Sequence, residues 1–188
     1  MVPEQLDVAR GDGGLDRRQL VLESALETFS RFGYRKTSMD DIATAAHISR
    51  PGLYFLFESK PALFREAVTH ALDRDLSLIA RELAESGRPV RDRVTAAFDL
   101  WAGSYVGPLA GEMPGIFDAD PFLLGSLLEE APARFEELVA AAVVAVYPAD
   151  GAARTQTLIS ASIGIKHQVT VREIYLDRLA VAVGLLLV

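Results

Sequence analysis

Apolar residues recur along this chain at intervals of three and four with polar residues between them, and no stretch alternates convincingly with a period of two. The pattern therefore predicts helices throughout. Leu20, Ala25, Leu26 and Phe29 sit among charges from Asp16 onward and give a first helix that ends at Gly33. Residues 37–57 read as two short helices joined by a tight turn. Thr37 with Asp40, and Ser38 with Asp41, both supply the hydroxyl and first-turn acid of a capped helix start. That helix carries Ile42, Ala45 and Ala46 on one face and stops at His47-Ile48. Ser49 caps the next, and Ile48 with Leu53 has the spacing of a hydrophobic staple.

Further along, Ser59 is a cap and Pro61 a tolerated first-turn residue for a long helix reaching about Glu85, which Gly87 and Pro89 end. A helix from about Val90 to Tyr105 places Phe98, Trp101 and Tyr105 on one face. Gly107-Pro108 and residues 111–115 break the chain. Residues 121–147 are helical in pattern, with Pro132 as a kink or a divide between two helices. After the turn signal at residues 148–151, two unusually apolar helices are expected over residues 152–166 and 171–188. A helix apolar nearly all round must be covered on several sides. Residues 1–15, with Gly11, Gly13 and Gly14 and no periodicity, read as a flexible arm. The fold class expected is all-α.

Composition narrows the chemistry. The chain of 188 residues has 50% apolar residues and no cysteine, which suits one domain or two small ones and excludes disulfides and thiolate metal sites. His47, His70 and His167 have no ligand spacing, so no metal and no cofactor are expected. The start lacks a signal-peptide pattern, and the apolar run from Leu179 to Val188 falls short of the ~20 residues that span a bilayer; a soluble, cytoplasmic protein is expected, with no membrane partner. The net charge of −7 is uneven. Residues 16–60 sum to +1, whereas residues 61–188 sum to −6. The acid thus lies mostly outside the two short helices, compatible with a few positioned phosphate contacts.

The runs Ala25-Leu26-Glu27-Thr28-Phe29, Gly33-Tyr34, Thr37-Ser38-Met39-Asp40-Asp41-Ile42-Ala43, Ala46-His47-Ile48-Ser49, Gly52-Leu53-Tyr54-Phe55-Leu56-Phe57 and Ser59-Lys60-Pro61-Ala62-Leu63-Phe64 resemble the amino-terminal domain of TetR/AcrR transcriptional regulators. The resemblance is specific over about residues 17–64. It implies a three-helix DNA-binding domain over residues 16–64, with its helix-turn-helix at about 38–57, and a larger effector-binding and dimerisation domain over residues 65–188, about nine helices in all. Two residues depart from the family pattern. His47 stands where the family usually has glycine, and Leu56 where His or Tyr is frequent.

The resemblance also implies roles. Ser49 to Phe55 would enter the major groove, where the first residues of a recognition helix reach base edges. Arg50 is the candidate base reader, because a guanidinium can bond guanine O6 and N7 together. Its bland alternative is a phosphate-bound or solvated arginine. Gly52 would let the backbone approach DNA, and Pro51 offers contact to a thymine methyl. Tyr54, Thr37 and Lys60 would contact phosphates, Ser38 would combine capping with such a contact, and Phe55 is divided between groove contact and packing. In the second domain Phe98, Trp101, Tyr105, Met113, Phe117 and Phe122 are candidates to line an effector pocket, although aromatic stripes at helical spacing normally pack as core. Asp99, Asp118, Lys166 and His167 are weaker polar candidates. The last two helices are similar in character to the dimer interface of many family members, with Leu158, Ala161, Ile165, Leu179, Val183 and Leu186 as candidate interface residues.

The implied function is a homodimeric DNA-binding transcriptional regulator, a repressor released from a palindromic double-stranded operator by a small apolar or aromatic effector. The rival is an all-α enzyme or small-molecule carrier without DNA binding. No nucleophile elbow, metal spacing or phosphate loop supports catalysis.

Overall fold

The computed structural model describes residues 12–103, 106 and 121–188, with the side chains of all but 12–16 and 121. Among these residues the protein is all-helical, with α1 (Asp12–Phe32), α2 (Met39–Ala45), α3 (Arg50–Leu56), α4 (Lys60–Ala84), α5 (Val90–Trp101), α6 (Leu127–Val144), α7 (Gly151–Gln168) and α8 (Arg172–Leu186), and a 3-10 turn at Pro121–Leu123. Residues 1–11 of the expected arm lie outside the described residues. Residues 12–15, expected within it, belong to α1. Gly13 and Gly14 each weaken a helix by only about 1 kcal/mol, too little to stop one that is packed further along.

The chain forms two compact units. The first contains the described residues up to Ala71, with Pro121, Phe122 and Leu123; the second contains Leu72 to Gly103, Val106 and Leu124 onward. The division falls inside α4, seven residues beyond the boundary expected after residue 64. A continuous helix carries no local signal of such a division, because its hydrogen bonds run through it unchanged.

In the first unit Val21, Ala25 and Phe29 of α1, Ile42 of α2, Leu53 of α3 and Leu63, Phe64 and Ala67 of α4 are buried. Phe29, Tyr34 and Phe64 form an aromatic cluster, the Phe29 and Phe64 rings meeting edge to face at 5.1 Å. Such contacts add about 0.5–1.5 kcal/mol beyond area burial. This cluster fixes the entry to α2 and, through it, the helix pair 39–56.

In the second unit Leu76, Ile79 and Leu83 pack with Val94, Phe98, Phe135, Val139, Leu158, Tyr175 and Leu179 in one apolar core. Pro132 lies inside α6, neither ending nor dividing it. The pattern over 121–147 instead gives way before Leu127, where Gly125 takes φ 53° and turns the chain. α7 starts against the end of α6 so closely that a Cβ on Gly151 would lie 2.8 Å from the Val144 Cα, and only glycine fits there. The Tyr175 and Ser162 hydroxyls bond each other inside the core at 2.8 Å, and burial pushes the phenol's pKa up.

Candidate nucleic-acid interface

The two short helices are held by their ends. α2 has seven residues, too few to persist alone in water. Ser38 caps it: its hydroxyl accepts from the Asp41 N–H at 3.2 Å, and the Asp41 carboxylate accepts from the Ser38 N–H at 2.8 Å and from its hydroxyl at 2.6 Å. These bonds, the side-chain one foremost, hold the Asp41 carboxyl below the usual carboxylate range. Of the two start signals in the sequence, Ser38 with Asp41 is therefore the one used. Thr37 is buried, and its hydroxyl donates to the Gly33 carbonyl at 2.8 Å.

α3 repeats the arrangement, with Ser49 accepting from the Gly52 N–H at 3.1 Å and Pro51 in the first turn. Between the helices His47 takes φ 53°, the left-handed conformation that glycine adopts without strain. Here histidine bears it at a cost of about 1–2 kcal/mol. At the far end, Arg18 of α1 donates to the carbonyl of Leu56, the last residue of α3, at 2.8 Å. It also pairs with Glu66 of α4 and covers the Phe57 ring. A cation at a helix carboxyl end satisfies an orphan carbonyl and opposes the helix dipole. Nothing in the sequence singles Arg18 out, because its partners lie 38 and 48 residues away.

With Leu53 and Phe57 buried, the opposite face of α3 presents Arg50, Pro51, Tyr54 and Phe55 outward. Phe55 is 89% exposed, which decides its divided reading against packing. The Arg50 guanidinium pairs with Asp40 of α2 at 3.0 Å and lies 5.7 Å from the centre of the Tyr54 ring. Asp40 is the partner the sequence reading missed. Both members of the pair are exposed, so it is worth little and is readily exchanged for another acceptor.

The expected phosphate contact of Thr37 is corrected, and Lys60 is engaged within the chain. Thr37 is only 2% exposed and has spent its proton on Gly33. Lys60 donates to the carbonyls of Tyr34 and Thr37, each at 3.0 Å, and its ammonium lies over the Tyr34 ring at 4.5 Å. Its role is to clamp the segment that leads into α2. Ser38 keeps its capping role, while its proton is engaged by Asp41.

The second unit packs Phe98 and Trp101 on one ring. Phe98 is buried edge to face with Phe135, and the half-buried Trp101 stacks on the same ring at 4.9 Å, packed against the core. Phe122 is exposed, and Tyr105, Met113, Phe117 and Asp118 lie outside the described residues. Asp99 makes a two-pronged pair with Arg172 at 2.7 and 2.8 Å. Burial lowers the Lys166 pKa. Of the interface candidates, Leu158, Leu179 and Val183 are corrected: they are buried in their own unit's core and have no surface for a partner. Ala161, Ile165 and Leu186 are half-buried, the last two packed against that core. The large outward apolar side chains of α7 and α8 are Ile163, Ile174, Val181 and Leu185. Among the described residues no group of three His, Asp or Glu side chains is arranged to hold a metal, and no helix is long and apolar enough to cross a membrane.

Residues 21–67 match the family model described as bacterial regulatory proteins, tetR family. The chain is 35% identical over 83 residues to the helix-turn-helix-type transcriptional regulator YhgD of Bacillus subtilis, covering 44% of this chain and 43% of that protein. It is 42% identical over 52 residues to a probable acrEF/envCD operon repressor of Escherichia coli, covering 28% and 24% of the two chains. The matched stretches thus span less than half the length of these relatives. A solved structure of a TetR-family transcriptional regulator from Mesorhizobium loti superimposes with a TM-score of 0.74 at 18% identity, over 92% of this chain and 96% of that one. That likeness carries the fold across the length that sequence identity does not reach.

Proposed function

The chain belongs to the TetR family of bacterial regulatory proteins, and from that premise we propose that it binds a palindromic operator as a cytoplasmic homodimer and represses transcription until a small apolar or aromatic effector releases it. Its family is one of transcriptional regulators and not of enzymes. The observation that carries the DNA-binding reading is the outward face of α3. Arg50, Pro51, Tyr54 and Phe55 project from a capped helix whose other side is anchored by Leu53. Two outward aromatic rings are costly to leave in water, and together with the outward arginine they match the mixed polar and apolar edges of the major groove. Arg50 exchanges Asp40 for guanine O6 and N7, and Tyr54 directs its hydroxyl to a phosphate.

Dimerisation through α7 and α8 is supported by Val181 and Leu185, which are 63% and 73% exposed, and by Ile163 on the neighbouring helix. A Cβ on Gly164 or Gly184 would meet nothing within 4 Å, so neither glycine is required by packing within the chain. A second copy brought close on this face would bury the apolar residues and set two recognition helices about 34–36 Å apart, or a multiple of one DNA turn. The effector acts by preferring the dimer conformation with the wrong spacing, and only to the extent of that preference. The repressor sense follows that of the similar Escherichia coli operon repressor.

A gel shift on fragments of the protein's own promoter, run across a salt series, tests the reading. Sequence-selective retardation that weakens with salt is expected, and the absence of selective binding at every ionic strength overturns it. Arg50→Ala should relax specificity at one position per half-site, a discrimination of about 1–3 kcal/mol for a bidentate guanine contact. Uniform weakening across all sequences would make Arg50 a phosphate contact instead.

A further inference from the structure

On α3 the polar and apolar outward residues are separated. Arg50 is drawn toward α2 by Asp40 and lies near Tyr54. Pro51 and Phe55, four residues apart, share a strip of helix surface, and both are exposed. Phe55, at 89% exposure, is the most exposed large apolar side chain among the described residues. It cannot be tucked in by rotating the helix, because Leu53 on the other side is fully buried and Ser49 fixes the first turn. Helical side chains lean toward the amino end, which brings the Phe55 ring over the turn that carries Pro51. The result is an apolar strip, one turn long, on a face otherwise suited to hydrogen bonding.

The major groove offers one apolar group to such a strip, the C5 methyl of thymine. Resting on the proposed DNA-binding role, we infer that Phe55, with Pro51 beside it, is a specificity-determining residue that selects thymine at one position of each half-site through that methyl. Cytosine lacks the methyl and places an amino donor where thymine has a carbonyl oxygen. A phenyl ring gains nothing from either exchange. Arg50 and Phe55 then read different positions by different chemistry.

Replacing thymine by deoxyuridine removes the methyl and leaves every hydrogen-bonding group in place. The full chain is used to select a preferred duplex from random sequence, and each thymine of one half-site is then replaced in turn by deoxyuridine. At one position the affinity should fall about fourfold, the worth of one buried methyl. Phe55→Ala should bring the thymine-to-uracil ratio at that position to about one, while Phe55→Leu, which stays apolar, keeps it above one. Because the Phe55 ring is exposed, its loss leaves the core intact, which an unchanged melting curve verifies. Selective binding in which no thymine responds to uracil overturns the inference alone. A response that persists undiminished in Phe55→Ala also overturns it, by assigning the methyl contact elsewhere. Failure to select any duplex overturns the DNA-binding reading, and this inference with it.

Discussion

The two units secure their helices by different means. In the first, the short helices α2 and α3 are capped by Ser38 and Ser49, and Ser59 accepts from the Ala62 N–H as α4 begins. In the second, α5, α6, α7 and α8 start at Pro89, Ser126, Asp150 and Val171, none of which makes a side-chain cap bond. For α2 and α3 the need for caps follows from length, although the 25-residue α4 is capped as well. A helix of seven residues cannot meet its nucleation cost from propensity, so every satisfied end counts. Helices of twelve to eighteen residues bury enough apolar surface to hold without caps. Capping also fixes which face of a short helix turns outward, and a recognition helix has to fix that. The second unit instead has surface to spare, and its outer apolar residues are free to meet a second copy.

The largest effect should separate core from interface on α8. Val183 is buried and Val181 exposed, two residues apart. Val183→Asp places an uncompensated charge in the core and should destabilise the protein by on the order of 3–5 kcal/mol in chemical denaturation. Val181→Asp should leave stability of the folded chain nearly unchanged and convert dimer to monomer in sedimentation. If Val181→Asp remains dimeric, the outer face of α8 is not the interface.

That pair also marks how far the sequence could be read. The helix-turn-helix was legible because its determinants are local: Ser38 and Asp41 are three residues apart, and so are Ser49 and Gly52. His47, standing where the family usually has glycine, sits at φ 53°. The engagement of Lys60 was not legible, because it reaches back 23 and 26 residues to two carbonyls, whereas Thr37 bonds Gly33 only four residues away and is hidden by burial that the local pattern does not show. On α7 and α8 the apolar residues run nearly all round, and each step along a helix turns by about 100°, so periodicity could not say which stripe meets the chain's own core. Leu179 and Val183 took the inside and Val181 and Leu185 the outside. Periodicity could not name the ring on which Phe98 and Trp101 rest, because Phe135 belongs to another helix.

A smaller effect tests the role of the caps. Ser49→Ala should cost about 1 kcal/mol in urea denaturation, the usual worth of an amino-terminal cap, and should weaken operator binding further by loosening α3. Ser126→Ala, at the start of α6, should change stability by no more than a few tenths of a kcal/mol, because that hydroxyl makes no cap bond. Equal costs at the two sites would remove the distinction between capped and packed helices.

The smallest effect is one of pH, and it isolates the carboxylate half of the α2 cap. The Ser38 hydrogen bonds hold the folded-state pKa of Asp41 below its unfolded value. For a depressed carboxylate, the stabilisation is complete above the unfolded pKa and is lost as pH falls through the folded one. The difference in melting temperature between the native chain and Asp41→Asn should therefore be constant through neutral pH and shrink as the solution is acidified through and below the usual carboxylate range. The amide also accepts a hydrogen bond from the Ser38 N–H, so what the comparison removes is the charge and its attraction to the positive end of α2. A difference that stays the same down to the most acid pH at which both proteins fold would mean that the charge contributes nothing and that Ser38 alone starts the helix.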